Sequence, residues 1–235
     1  MLWAGNRQVD IYLGTRTVAA CKGAECLFAT NVGGRDDSLA ELARQLPRIT
    51  RQSSLRIWLS GGLCRPIMLP SVARARTEDL EAIAMSLVPS RLGWSGPVAI
   101  RLDVARAEDV IAVATEQATV DGVERALATG GFRAEGIGPW WAQALREAVQ
   151  RQAKSVAIHD CDSVCFLSGR ENSIETATVI FPTPDAAAAD SAVARLRFNC
   201  GIDDPTMTAR LRLVAGSAKR AGSDAALGSW VDWSG

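Results

Sequence analysis

The sequence predicts an α/β protein made of two similar subdomains, each a mixed β-sheet flanked by helices. Three observations lead to this fold class. Residues 9–21 have the pattern of a β-hairpin with a small turn, the order of three strands, one helix and one strand occurs twice, and a loop rich in Gly and Pro at 92–97 lies between the copies. At 235 residues the chain can hold two domains of about 100 residues each.

The first half contains the hairpin, a third strand, a helix, a fourth strand, a partner or edge segment and a second helix. The predicted strands lie at 9–13, 17–21, 25–30, 55–60 and 64–70, and the predicted helices at 38–46 and 77–89. Ser38 follows a Gly-Gly break and suits a helix N-cap. Alternating apolar and polar residues indicate the fourth strand, which turns at Gly61 and Gly62.

The second half starts again with strands. Strands are predicted at 98–102, 110–115, 132–137, 156–159, 163–168, 175–181 and 209–214, and helices at 121–129, from 139 onward and at 184–196. Asp121 followed by Glu124 indicates a capping box, and Pro139 suits the first turn of a helix. We place the domain boundary near residue 95, which gives subdomains 1–95 and 96–235, with an exchange of helices between the halves left open.

The composition limits the classes of partner and cofactor. Lys and Arg number 26, as do Asp and Glu, so no overall field attracts nucleic acid or anionic lipid. We found no run of 18 to 20 apolar residues and no signal peptide pattern, which predicts a soluble cytoplasmic protein. The six cysteines lie largely in apolar runs and are expected to be reduced, and with one His a structural zinc site lacks ligands.

Three local motifs resemble the actin-like ATPase superfamily, which is built from two ribonuclease-H-like subdomains. The motifs are Gly14-Thr15-Arg16-Thr17 in the hairpin turn, Gly136-Ile137-Gly138-Pro139 before a helix, and Leu213-Val214-Ala215-Gly216-Ser217-Ala218 after the last strand. Their order is similar to that in the PilM-like and GspL-like cytoplasmic components of type IV pilus and type II secretion inner-membrane platforms. The resemblance implies phosphate contacts at Gly14, Thr15 and Thr17 and an adenosine contact at Gly216, if nucleotide binds.

The same motifs depart from those of the active ATPases at three places. Tyr12 stands where the first strand of the family carries an Asp, and an aromatic ring cannot orient hydrated Mg²⁺. Asp10 lies two residues away on the same face, some 6 to 7 Å along the strand. The second phosphate turn, at 160–163, has two Asp and no Gly, so its carboxylates would repel a phosphate unless a metal intervened. Gly216 is alone where the family has several glycines.

Other chemistries have weaker support in the sequence. His159 precedes Asp160, yet Ser163 and Ser168 lack the nucleophile elbow that a catalytic triad would need. We therefore predict no catalytic residue and no metal ligand. Trp230 and Trp233 lie in a short tail that could dock on its own subdomain or on a partner.

These observations favour a non-catalytic actin-like scaffold of a type II secretion or type IV pilus assembly platform. The resemblance implies two partners, a bitopic inner-membrane assembly protein whose cytoplasmic segment binds the scaffold, and a secretion or pilus assembly ATPase. It also implies a cytoplasmic location, peripheral to the inner membrane through the partner, and leaves a homodimer open. No cofactor is expected.

Two alternatives stay open. The first is an active nucleotide-binding ATPase or kinase-like enzyme that uses ATP with magnesium. It would employ Gly14, Thr15, Thr17 and Gly216, and the metal would be held by a recruited carboxylate, either that of Asp10 or that of Asp160. The second is an α/β protein of different topology, which the order of its strands would reveal.

Overall fold

A computed structural model describes residues 8–23, 25–49, 53–69, 76–103, 110–142, 154–160, 162–170, 173–182, 185–213 and 230–233. The strands are β1 Gln8–Leu13, β2 Thr17–Lys22, β3 Glu25–Asn31, β4 Ser54–Leu59, β5 Cys64–Met68, β6 Val98–Asp103, β7 Ile111–Glu116, β8 Ala134–Pro139, β9 Ser155–Asp160, β10 Ser163–Arg170, β11 Ser173–Ile180, β12 Thr208–Leu213 and β13 Trp230–Trp233. The α-helices are α1 Arg35–Gln45, α2 Thr77–Leu92, α3 Gln117–Gly130 and α4 Ala186–Asn199, and residues 140–142 are also helical. Within these ranges no helix has the length and apolar character to cross a membrane.

The first sheet has β1 at its centre, in the order β3-β2-β1-β4-β8. β1 pairs antiparallel with β2 and parallel with β4, as expected for a hairpin followed by a helical crossover. Val9, Ile11 and Leu13 alternate along β1 and are buried in the core that α1 and α3 complete. The opposite face of β1 therefore carries Asp10 and Tyr12.

The second sheet repeats this topology in the order β11-β10-β9-β12-β13. β9 takes the central place, antiparallel to β10 and parallel to β12. Ala189 and Val193 of α4 pack with Phe166 of β10 to cover one face of the sheet. The predicted pair of α/β subdomains, each with a mixed sheet, is confirmed.

The tryptophan-containing tail belongs to the second sheet. It forms β13, which runs parallel to β12 and pairs Arg210 with Trp230 and Leu213 with Trp233. Of the two positions that the sequence left open for this tail, the main chain therefore takes the one on its own subdomain.

A third, smaller sheet interrupts the first subdomain between β4 and α3. Its strands pair antiparallel in the order β5-β7-β6, and α2 packs against it through Ala84 and Val88, which contact the core around Ala112. β5 thus pairs with β7 and lies at the edge of this sheet, where the sequence had left open a partner of the fourth strand or an edge segment. The loop at 92–97 connects α2 to β6 inside this inserted unit.

The sheets divide the chain differently from the predicted subdomains 1–95 and 96–235. After the insert, α3 and β8 return to the first subdomain, where β8 pairs in parallel with β4. The first subdomain thus combines 8–59 with 117–139, and the second begins at β9. Local patterns locate strands but not their partners, because pairing depends on residues far apart in the sequence.

Three predicted helix starts differ from the structure. α1 begins at Arg35, so Ser38 lies inside its first turn. α3 begins at Gln117, and Asp121 lies one turn further, where its carboxylate accepts a hydrogen bond from the Gln117 side-chain amide at 2.7 Å. Pro139 is the last residue of β8, and the chain becomes helical only after it.

Candidate functional site

Three turns meet where the two subdomains face each other. The β1–β2 turn contains Gly14 and Thr15, the β9–β10 turn spans 160–163, and the turn after β4 begins at Ser60. β1 and β4 are parallel neighbours, so their carboxyl ends lie side by side, and the Ser60 N–H donates to the carbonyl oxygen of Leu13 at 2.9 Å. The β9–β10 turn contacts both of the other turns.

Asp162 places its carboxylate directly on the predicted phosphate turn. Its Oδ2 accepts a hydrogen bond from the Thr15 N–H at 2.7 Å and another from the Thr15 hydroxyl, and the Ser60 hydroxyl lies 3.4 Å away. A backbone amide and a hydroxyl converging on one anionic oxygen are the donors that the resemblance assigns to a nucleotide phosphate. In this chain a side chain of the second subdomain takes them.

Asp160 ties the same turn to the end of β4. Its Oδ2 accepts from the Gly61 N–H at 2.7 Å, and its Oδ1 accepts from the Ser163 hydroxyl. The Tyr12 hydroxyl donates to the carbonyl oxygen of Asp160 at 3.0 Å. Tyr12 of β1 therefore bridges the first subdomain and the β9–β10 turn.

The turns are packed too closely to admit larger residues. A Cβ added to Gly14 would lie 2.9 Å from Oη of Tyr12, and one added to Gly61 would lie 2.6 Å from Oγ of Ser163. The Tyr12 ring also packs edge-on against Trp140, with 5.9 Å between ring centroids. Aromatic side chains and glycine backbone thus fill the space beside the first turn.

Burial and mutual repulsion govern the charge of the two carboxyls. Asp160 and Asp162 are both buried, and the loss of hydration raises the pKa of each. The nearby Asp162 raises the pKa of Asp160 further, whereas hydrogen bonds from Thr15 partly offset the rise for Asp162. The pair therefore holds a proton more tightly than a solvent-exposed carboxyl does.

Asp10 is engaged elsewhere on the sheet. Its Oδ1 accepts from the Trp58 Nε1–H at 2.8 Å and lies 3.5 Å from Nε of Arg56. Both partners belong to β4, so the carboxylate is held along the sheet instead of at the turn. Among the described residues, no three His, Cys, Asp or Glu side chains are grouped as metal ligands.

The structure brings together three of the four predicted nucleotide contacts. Gly14, Thr15 and Thr17 share the β1–β2 turn, in which the Gly14 N–H donates to the carbonyl oxygen of Thr17 at 2.9 Å. The Ser38 hydroxyl of α1 donates to the carbonyl oxygen of Gly14. Gly216 lies outside the described residues.

The sequence did not identify the turn after β4 as part of the site. Ser60 was predicted as the end of a strand and Gly61 as part of the turn after it, and the Ser-Gly-Gly sequence there was the one available signal. Asp162 was expected to repel phosphate, but its use of the Thr15 donors could not be foreseen without the fold.

The inserted unit also reaches the second subdomain near these turns. The guanidinium of Arg65 on β5 lies 5.2 Å from the ring centroid of Trp94 and 5.4 Å from that of Phe181, just after β11. Burial lowers the pKa of Arg65, and the nearby charges of Glu116 and Asp162 oppose this effect. Arg65 therefore joins the insert to the second subdomain.

Comparison with known proteins gives matches among solved structures only. No protein-family model and no curated protein match the chain. A Bacteroides thetaiotaomicron protein with an actin-like ATPase fold and unknown function has a TM-score of 0.59 at 10% identity, covering 94% of this chain and 84% of that one. The type IV pilus biogenesis complex PilM–PilN gives 0.53 at 14% identity, covering 84% and 66%. The cytoplasmic domain of EpsL, an inner-membrane component of the Vibrio cholerae type II secretion system, gives 0.48 at 12%, covering 74% and 71%.

The similarity to the first two of these structures, together with the doubled strand order, defines the fold. The chain has the actin-like fold, with two ribonuclease-H-like sheets and a small sheet inserted into the first subdomain. The resemblance found in the sequence is confirmed at the level of the fold.

The carboxyl pair predicts a pH dependence of stability. The raised pKa values mean that the folded site binds protons more tightly than the unfolded chain does. The contribution of the carboxyl pair to stability is therefore greatest at about pH 4 and below, and it declines as the pH rises through the raised pKa values of the folded protein. Asp160→Asn removes the repulsion and keeps an acceptor for the Gly61 N–H. We expect its melting temperature, relative to wild type, to increase between about pH 4 and pH 8.

The control for this series is Asp204→Asn. Asp204 is exposed, and hydrogen bonds from Thr206 lower its pKa, so the stability of this variant relative to wild type should change mainly below about pH 4 and stay nearly constant from about pH 5 to pH 8. Thermal unfolding, monitored by circular dichroism, gives the difference in melting temperature from wild type for each variant. An Asp160→Asn difference that stays constant with pH would contradict the assigned charge state.

Asp162→Ala tests the contact with the first turn. The Thr15 N–H and hydroxyl lose their acceptor, so we expect the free energy of unfolding to fall by about 2 kcal/mol. Inorganic phosphate at millimolar concentration should then raise the melting temperature of the variant more than that of wild type, because the same donors become available to an anion. Urea unfolding and thermal shift measure the two effects.

Asp36→Ala is the matched control, since the Asp36 side chain is 85% exposed and lies on the first turn of α1. It should leave both quantities near their wild-type values. If Asp162→Ala were as stable as wild type and no more responsive to phosphate, Asp162 would not be holding the turns together.

Proposed function

We propose that this protein is a nucleotide-independent actin-like scaffold of a type II secretion or type IV pilus assembly platform. It would bind the cytoplasmic segment of a bitopic inner-membrane partner and act beside the assembly ATPase, peripheral to the inner membrane. The observation that carries the proposal is the bonding of the Asp162 carboxylate to the amide and hydroxyl of Thr15.

Charge repulsion supports the nucleotide-independent part of the proposal. A phosphate at the first turn would have to displace the Asp162 carboxylate and still lie close to two buried acidic groups. Like charges a few ångströms apart repel strongly where the effective dielectric constant is low. Displacement would also break the contacts that join the second subdomain to Thr15 and Ser60.

The groups that could hold magnesium also support nucleotide independence. The Tyr12 hydroxyl already donates a hydrogen bond to the carbonyl oxygen of Asp160, and the Asp10 carboxylate already accepts one from the Trp58 side chain. Both carboxylate oxygens of Asp160 accept hydrogen bonds from neighbouring turns. Mg²⁺ needs oxygen ligands in near-octahedral geometry, and these contacts would have to break first.

The part of the proposal that concerns partners follows the fold likeness to the PilM–PilN type IV pilus biogenesis complex. That structure is a complex of PilM with PilN, and the match covers 84% of this chain and 66% of the chain compared. A fold whose phosphate turns are bound by its own side chains is suited to work as a binding surface, because its two subdomains are joined without a ligand.

Calorimetry with magnesium and ATP tests nucleotide independence. We expect no binding heat up to millimolar nucleotide and no ATP hydrolysis, because the Thr15 donors are engaged. Binding tighter than about 100 μM that is lost in Thr15→Glu would contradict the scaffold and support the ATPase or kinase-like alternative. Binding that persists in Thr15→Glu would place nucleotide elsewhere on the protein and would also contradict a nucleotide-free role.

Co-expression with bitopic assembly proteins from the same genome tests the partner. We expect the chain to sediment with membranes when the full partner is present and to stay in the supernatant when the cytoplasmic segment of the partner is deleted. If the chain stayed in the supernatant with every bitopic secretion and pilus assembly protein of that genome, the proposed function would be overturned. The deletion variant provides the control for nonspecific sedimentation.

A further inference from the structure

Two cysteines face each other across the β2–β3 hairpin. From the turn, in which Gly23 has a φ of 60°, the register pairs Lys22 with Glu25 and Cys21 with Cys26, and the ladder shifts register between Ala20 and Cys21. Directly opposed residues of an antiparallel pair have Cα atoms about 4.5 to 5.5 Å apart and side chains on the same face. This spacing lies within the range that a disulfide requires.

The two thiols are accessible. Both cysteines are free, and both are partly exposed. β3 is an edge strand that pairs with β2 alone among the described strands. Burial, followed by the influence of Cys26 and Asp10, raises the pKa of Cys21 to about 11, so at neutral pH Cys21 is a thiol.

The other described cysteines lack this combination of access and an opposed sulfur. Cys64 and Cys165 are fully buried, and the Cys64 sulfur accepts a hydrogen bond from the Thr115 hydroxyl at 3.1 Å. Cys200 is partly exposed, but its sulfur lies 3.5 Å from the hydroxyl of Ser168. Exposure and pairing occur together only at Cys21 and Cys26 within this set.

We propose that Cys21 and Cys26 form a redox-convertible dithiol that a small-molecule disulfide oxidises to an intramolecular disulfide. Cys26, on the edge strand, attacks one sulfur of the reagent as a thiolate, forming a mixed disulfide and releasing one thiol of the reagent. Cys21 then attacks the Cys26 sulfur and releases the second thiol. The protein loses two electrons and two protons, and the reagent gains both.

The bond would fasten the edge of the first sheet. Without it, β3 is held to β2 by the ladder and by partly exposed side chains, and edge strands open more readily than central ones. A covalent link beside the hairpin turn limits that opening. The dithiol lies at the end of β2 away from Thr15, so this inference does not depend on the proposed function.

Oxidised glutathione followed by tryptic mapping tests the proposal. Trypsin cuts after Arg16, Lys22 and Arg35, so Cys21 and Cys26 fall in separate peptides, 17–22 and 23–35. We expect these two peptides to be recovered as one disulfide-linked species, lighter by about 2 Da than their sum, and to separate after reduction. Oxidation should also slow amide exchange in β3.

Cys21→Ser and Cys200→Ser complete the experiment. Cys21→Ser should retain glutathione on Cys26 as a stable mixed disulfide, because the resolving thiol is gone. Cys200→Ser should form the linked peptides at the wild-type rate. Free thiols at both positions after prolonged oxidation, or glutathione retained on Cys26 in the wild-type protein, would overturn the proposal.

Discussion

Hydrogen bonding of two buried carboxylates is the constraint on which the arrangement of the subdomains depends. Asp160 and Asp162 would repel each other and lose hydration wherever they were buried. They are tolerated because the Thr15 N–H in the β1–β2 turn and the Gly61 N–H in the turn after β4 donate to them. Separating the turns would leave these carboxyls without their donors. The buried carboxyls therefore keep their hydrogen bonds only while the two subdomains stay in contact.

The residues that differ from the active ATPase pattern are mutually dependent. Tyr12 needs the carbonyl oxygen of Asp160 for its hydroxyl, and the close approach of its ring requires glycine at position 14. Asp162 takes the donors that a phosphate would use. The residues at the two turns therefore depend on one another for their contacts.

The inserted unit adds a second connection between the subdomains. The Arg65 guanidinium lies between Trp94 and Phe181, and the ring faces offset part of the cost of removing its charge from water. Asp162 also favours the charged form of Arg65. The turns and the insert are thus linked electrostatically, although they are separated along the sequence.

The sequence by itself predicted most of the strands, the doubled order of strands and helix, and the actin-like fold, because alternation of apolar residues and small turn residues is local information. It also placed Tyr12 where the resemblance expects an acidic residue, and two Asp without a Gly in the turn at 160–163. Only the tertiary structure decided that β8 completes the first sheet and that Asp162 bonds Thr15. The physical reason is distance along the chain: a carboxylate finds its donors 147 positions away only after two separate sheets have brought their turns together.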